Sequence, residues 1–168
     1  MINVVLYEPE IPQNTGNIIR SCMAMNARLH LIEPLGFYMD EAHLKRAGMD
    51  YIEDIEINTY ENWNAFKEGR EGYFYCITRY GKKNPSEFEY KKDKDIYLVF
   101  GKESTGIPKD ILKDNLDTCI RIPMVKKARS LNLSNTVAIM LYEVNKQLDF
   151  EDLSKVEVIK GEDFLENF

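Results

Sequence analysis

Three stretches of this chain set small polar side chains, single charges and glycines between apolar runs, a mixture suited to handling a polar ligand. In residues 8–20 two prolines stiffen a turn, and a helical pattern then opens with Asn14, Thr15 and, further on, Arg20. A helix N-terminus offers free N–H groups to a phosphate or carboxylate, and Arg20, roughly one and a half turns in, stays near that end. The plainer reading makes Asn14 or Thr15 a helix cap and Arg20 a surface residue. In residues 97–108 an apolar strand stops at Gly101, and a short loop carries Glu103 before Gly106. The two glycines have the spacing of a phosphate loop, but Ile107 and Pro108 stand where a lysine and a hydroxyl residue are required, so that loop is excluded. Glycine here either admits a ligand to the backbone or supplies a positive φ. In residues 120–135 an apolar strand enters a basic loop with Lys126, Lys127 and Arg129, and the run SLNLSN then opens a long helix. Either Ser130 or Asn132 would suffice as its N-cap, so four small polar residues exceed what one helix needs.

The elements that must position these stretches alternate in type. Short β-branched runs at residues 2–7, 29–32, 55–59, 73–78, 96–100 and 119–122 read as strands. Helical patterns fall at 15–26, 40–48, 61–68 and 108–113. The strongest begins near Asn132, where Leu133, Val137, Met140, Leu141, Val144 and Leu148 recur at helical spacing, with Asn135, Tyr142, Asn145 and Lys146 on the opposite face. Alternating strands and helices predict an α/β fold, a mostly parallel sheet flanked by helices on both sides. In such sheets ligands sit beyond the carboxyl ends of the strands, where the three stretches begin.

Composition narrows the class. A chain of 168 residues with 44% hydrophobic content suits one domain with a real core. No apolar run approaches membrane-spanning length. The N-terminus lacks the basic start of a signal peptide, which gives the expectation of a cytoplasmic protein. Cys22, Cys76 and Cys119 are scattered and odd in number, and there are only two histidines, so buried reduced thiols are expected and no metal site. The net charge is −6, yet residues 149–168 hold seven acids against two lysines and account for nearly all of it. The body therefore carries local basic clusters (Arg79 with Lys82 and Lys83; Lys126 and Lys127 with Arg129), and local potential rather than total charge governs affinity for a polyanion.

Taken together, NTGNIIR at 14–20, FGKESTGIP at 100–108, RIPM at 121–124 and SLNLSN at 130–135 resemble the three motifs of the SPOUT superfamily of RNA methyltransferases. They are most similar to the TrmH-type ribose 2′-O-methyltransferases and, within these, to the TrmL branch acting on the tRNA wobble nucleotide. YEPEIP at 7–12 and IEP at 32–34 fit the same branch. The likeness spans about residues 1–148.

The resemblance implies a SPOUT fold with a C-terminal deep trefoil knot, formed by one domain at 1–150 and followed by an acidic tail at 151–168. It implies S-adenosyl-L-methionine as methyl donor, a tRNA anticodon stem-loop as substrate, and a homodimer with the active site at its interface. By position, Asn14, Arg20, Glu103, Ser130 and Asn132 correspond to the catalytic and substrate-positioning set. Ile77, Thr78, Gly101, Ile122, Met124, Ser130 and Leu131 correspond to the cofactor site. Lys82, Lys83, Lys126, Lys127, Arg129 and Tyr142 are the expected RNA contacts, Tyr142 serving either RNA or the dimer interface. Glu103 would either hold Arg20 or order the cofactor loop. The alternative function is a non-catalytic RNA-binding factor retaining the fold. A generic dinucleotide module is excluded, because residues 9–14 lack G-x-G-x-x-G.

Overall fold

A computed structural model of the chain describes residues 1–39 and 55–168. The predicted helix at 40–48 lies outside the described residues. The strands are β1 (Ile2–Tyr7), β2 (Ala27–Ile32), β3 (Ile57–Tyr60), β4 (Tyr73–Ile77), β5 (Ile96–Phe100) and β6 (Cys119–Ile120). The helices are α1 (Pro12–Ala24), α2 (Trp63–Lys67), α3 (Lys109–Lys113) and α4 (Leu133–Gln147). The strands form one sheet in the order β3-β2-β1-β5-β4-β6, every pair of neighbours parallel. From β1 the chain steps outward to β2 and β3, then crosses to the other half of the sheet. The order thus reverses between β1 and β5, and their carboxyl ends diverge into a crevice there.

Helices on both faces explain why β1 and β5 read as unbroken apolar runs. Val4, Leu6, Leu29, Leu98 and Phe100 face α1 and α4, meeting Ile18, Ile19, Cys22, Val137, Met140 and Leu141. Val5, Ile32, Val99 and Cys76 face the other way, against Phe66 of α2 and Ile111 and Leu112 of α3. Each such side chain taken from water contributes about 1.5–3 kcal/mol, so these two faces supply most of the favourable free energy of folding.

Within the second face lies a polar chain. The phenol of Tyr60 lies 3.0 Å from His30 Nδ1, and His30 Nε2 lies 3.0 Å from Asn3 Oδ1. The Asn3 amide nitrogen in turn donates to the carbonyls of Met1 and Ile96. With Asn3 Oδ1 an acceptor, the proton of His30 belongs on Nε2 and Nδ1 accepts from Tyr60. His30 is 4% exposed, and burial, followed by the nearby Arg70 guanidinium, lowers its pKa to about 4. All three cysteines are free and buried, as expected; burial pushes the Cys22 thiol up, and that of Cys76 to about 12.

Several boundaries differ from the sequence reading. Helix α1 starts at Pro12 rather than Thr15; proline at the first helical position has its φ already set, and neither Asn14 nor Thr15 caps it. Helix α2 is trimmed to Trp63–Lys67 by Asn62, whose side chain accepts from Ala65 N–H at 2.9 Å. Strand β6 ends at Ile120, because Arg121 donates instead to the carbonyl of Lys83 at 2.9 Å. Asn145, expected on the solvent face of α4, is 7% exposed and donates to the carbonyls of Leu141 and Met25, tying α4 to the end of α1. No helix among the described residues is long and apolar enough to cross a membrane. Beyond Gln147 the described chain has no further helix or strand, and residues 154–168 are exposed throughout.

Candidate active site

The loops that leave β1, β4, β5 and β6 at their carboxyl ends, with the start of α4, enclose a cleft of about 640 Å³. A cleft of that size accommodates a nucleoside-sized ligand.

Two acidic side chains lock the first pair of loops by exchange. Glu103 accepts from the N–H groups of Glu10 (2.8 Å) and Ile11 (3.1 Å), in front of α1. Glu10 accepts in return from the amide (2.9 Å) and hydroxyl (2.8 Å) of Ser104, and the Ser104 hydroxyl bond above all holds its carboxyl below the usual range. Lys102 pairs with Glu8 beside them. A carboxylate near a helix N-terminus also complements the helix dipole, and Glu103 binds the two N–H groups just ahead of Pro12.

The lock extends to the third stretch through two amides. Asn14 Nδ2 donates to Glu103 at 3.1 Å, and Asn14 Oδ1 accepts from Asn132 Nδ2 at 2.9 Å. Asn132 Oδ1 accepts from the amides of Ser134 (2.9 Å) and Asn135 (3.3 Å) and from the Ser134 hydroxyl, so Asn132 is the N-cap of α4. Flipping either amide would set Oδ1 against a carboxylate or Nδ2 against helix N–H groups, so the direction of the chain is fixed. Glu103, Asn14 and Asn132 thus spend their polar atoms on one another and on backbone. They position the cleft. Ser130, exposed on its wall, has a hydroxyl with no hydrogen-bond partner among the described residues.

The β5 loop folds tightly. Gly106 N–H donates to Lys102 at 2.9 Å, and a Cβ on Gly101 would fall 2.0 Å from the Gly106 carbonyl carbon. Gly106 itself has φ +75°. Both glycines are therefore required by the turn itself.

The cleft suits an adenosyl group. Ile77, Phe100, Ile122 and Met124 supply apolar surface, and the backbone N–H groups of Ile122 and Met124 donate to no acceptor among the described residues. Unpaired main-chain donors beside an apolar wall fit the edge and faces of a purine. The residues 1–142 match the model of the SpoU rRNA Methylase family. The chain belongs to that family. A relative in Saccharophagus degradans named tRNA (cytidine(34)-2′-O)-methyltransferase is 47% identical over 152 residues, covering 89% of this chain and 97% of the relative. A solved structure described as giving insight into 2-OH methylation of C/U34 on tRNA superimposes with a TM-score of 0.82 at 38% identity, covering 89% and 97% of the two chains. An AdoMet-bound rRNA methyltransferase from Sinorhizobium meliloti gives 0.76 at 26% identity, covering 88% of this chain and 56% of that one.

For this family member, the cleft gathers Ile77, Thr78, Gly101, Ile122, Met124, Ser130 and Leu131, all seven residues expected around the cofactor. It also gathers Asn14, Glu103 and Asn132. Arg20 is not among the residues lining it and is exposed on α1. Six residues beyond Asn14, its side chain leaves the helix about 120° away around the axis and more than a turn further along. Of the expected RNA contacts, Arg129 lines the cleft. Lys82, Lys83, Lys126 and Lys127 are exposed on the flanking loops. Tyr142 stands apart, its ring 5.5 Å from that of Phe150. Arg79 and Arg121, which the sequence reading placed in a basic cluster and in the RIPM motif without a site role, also line the cleft, as does Tyr80, which it left out. Nothing local marks the turn that presents Arg79 and Tyr80, and Arg121 follows an apolar run without a break.

Proposed function

We propose that the chain transfers the methyl group of S-adenosyl-L-methionine to the ribose 2′-hydroxyl of the wobble nucleotide, cytidine or modified uridine 34, in a tRNA anticodon stem-loop. The observation that carries this is the Glu103–Asn14–Asn132 chain, which joins three loops distant in sequence around one cleft with a free Ser130 hydroxyl. The names of the relatives above support the choice of substrate.

When bound, the donor supplies a methyl carbon on a positively charged sulfur, which needs no further activation to leave. Ile77, Thr78, Gly101, Ile122, Met124 and Leu131 would hold its adenosyl part by backbone and apolar contact. The chain must then align the attacking oxygen and release its proton. Ser130 is suited to meeting that hydroxyl. The planar fork of Arg20 suits the neighbouring phosphate bidentately, orienting the ribose. The proton leaves through Ser130, phosphate or water.

The same reading makes the enzyme a homodimer whose second copy brings its Arg20 to the cleft. In support, Asn17 and Arg20 of α1 and Ile139 and Tyr142 of α4 are exposed on helices that pack together. It also carries a C-terminal trefoil knot, supported by the passage of residues 120–121 against the 78–83 loop, where Thr78 N–H donates to the Ile120 carbonyl and Arg121 N–H to that of Lys83. One catalytic domain at 1–150, an accessory acidic tail and a cytoplasmic setting complete it.

The test is transfer of labelled methyl to an anticodon stem-loop, with the product mapped to the 2′-oxygen of nucleotide 34. Binding of that RNA without transfer would favour the non-catalytic RNA-binding alternative.

A further inference from the structure

Tyr80 is 66% exposed on the rim of the cleft, an aromatic ring left open to solvent among the described residues. Its backbone is held in a turn. The Tyr80 amide donates to Thr78 Oγ1 at 3.3 Å and that of Gly81 to the Thr78 carbonyl at 3.3 Å, closing a turn at the end of β4. Gly81 is pinned against β6, where a Cβ would lie 2.5 Å from the Ile120 carbonyl carbon. From below, Arg121 donates through its guanidinium to the carbonyl of Arg79. The Arg79 guanidinium lies 5.8 Å from the Tyr80 ring centroid, and Lys82 follows, exposed. No carboxylate among the described residues pairs with Arg79, Arg121 or Arg129.

A fixed aromatic face ringed by unpaired cations is how proteins grip single-stranded nucleic acid: bases stack on the ring while phosphates meet the charges. We infer that Tyr80 stacks on an unpaired anticodon-loop base, with Arg79 on the adjoining phosphate, and so sets the grip on the loop carrying the target ribose. This rests on the tRNA reading above. Adenine of the methyl donor is the less fitting occupant, since Ile77, Ile122 and Met124 offer it an apolar wall that is less exposed than Tyr80.

The experiment uses the full chain, S-adenosyl-L-methionine, and anticodon stem-loop RNA with 2-aminopurine beside nucleotide 34. Tyr80→Ala should raise KM for RNA about 5- to 150-fold, the range for removing one base–aromatic stack, with kcat and donor affinity close to wild type. Fluorescence quenching on binding should fall with it, and Tyr80→Phe should restore both where Tyr80→Leu does not. Wild-type KM and quenching in Tyr80→Ala, a loss confined to donor affinity, or equal rescue by leucine would each overturn the inference. If wild type transfers no methyl, the tRNA reading fails, while the quenching comparison still decides whether the ring stacks on RNA.

Discussion

Glu103 offers the most demanding test of how this cleft is assembled, because its geometry makes it a positioning group. Its carboxylate accepts from two backbone N–H groups and from the Asn14 amide. A net hydrogen bond to a charged group contributes about 1.5–3 kcal/mol. Ile11 is exposed, so water recovers part of its loss. Glu103→Ala should therefore cost about 2–4 kcal/mol overall. At about 2–4 °C per kcal/mol for a chain this size, the melting temperature should fall visibly. Glu103→Gln keeps one carbonyl oxygen but turns an NH₂ toward a backbone N–H, and should cost about half as much. A double-mutant cycle with Asn14→Ala should return a coupling of about 1 kcal/mol or more, since the two side chains share one bond. Urea titration gives the stabilities, and calorimetry with S-adenosyl-L-methionine should show donor affinity falling alongside them as the loops lose their tie. The reasoning is refuted if Glu103→Ala melts like wild type while kcat alone collapses, for then the carboxylate acts on the substrate.

His30 gives a pH signature. Its pKa in the fold, about 4, lies below the ordinary 6.5, so the unfolded chain binds the extra proton between those values and stability drains away as pH falls through that window. Between pH 6.5 and about pH 5 the loss attributable to His30 should reach about 1.5 kcal/mol; a His30→Gln protein whose urea midpoint tracks wild type throughout that range would refute it. Gly101→Ala drives a Cβ into the Gly106 backbone. It should lower donor affinity at least tenfold by opening the turn, checked by calorimetry, whereas wild-type affinity would mean the turn tolerates displacement. Lys126→Ala with Lys127→Ala should weaken binding of the stem-loop and flatten log K against log salt by up to about 0.9 for each phosphate that is no longer neutralised. An unchanged slope would remove both from the RNA path.

The elements were legible because both signals behind them are local. Val4, Val5 and Leu6 show a strand buried on two faces, and the spacing of Val137, Met140, Leu141 and Val144 marks the buried stripe of α4. Boundaries failed where a distant partner decided them, as where Arg121 leaves β6 for Lys83. The site divides along the same line. Asn14, Glu103 and Asn132 stood out as polar residues of three motif stretches, but nothing in three separate stretches states that they bond to one another. Only the closing of the sheet between β1 and β5 converts them from three separate features into one scaffold. Tyr80 lay beyond that logic, since an aromatic residue after a strand reads as core until the turn is seen to aim it outward. Arg20 marks the opposite limit: its place along α1 was clear, yet it is exposed and does not line the cleft of its own chain. The role proposed for it in the reaction therefore requires a second molecule at that surface.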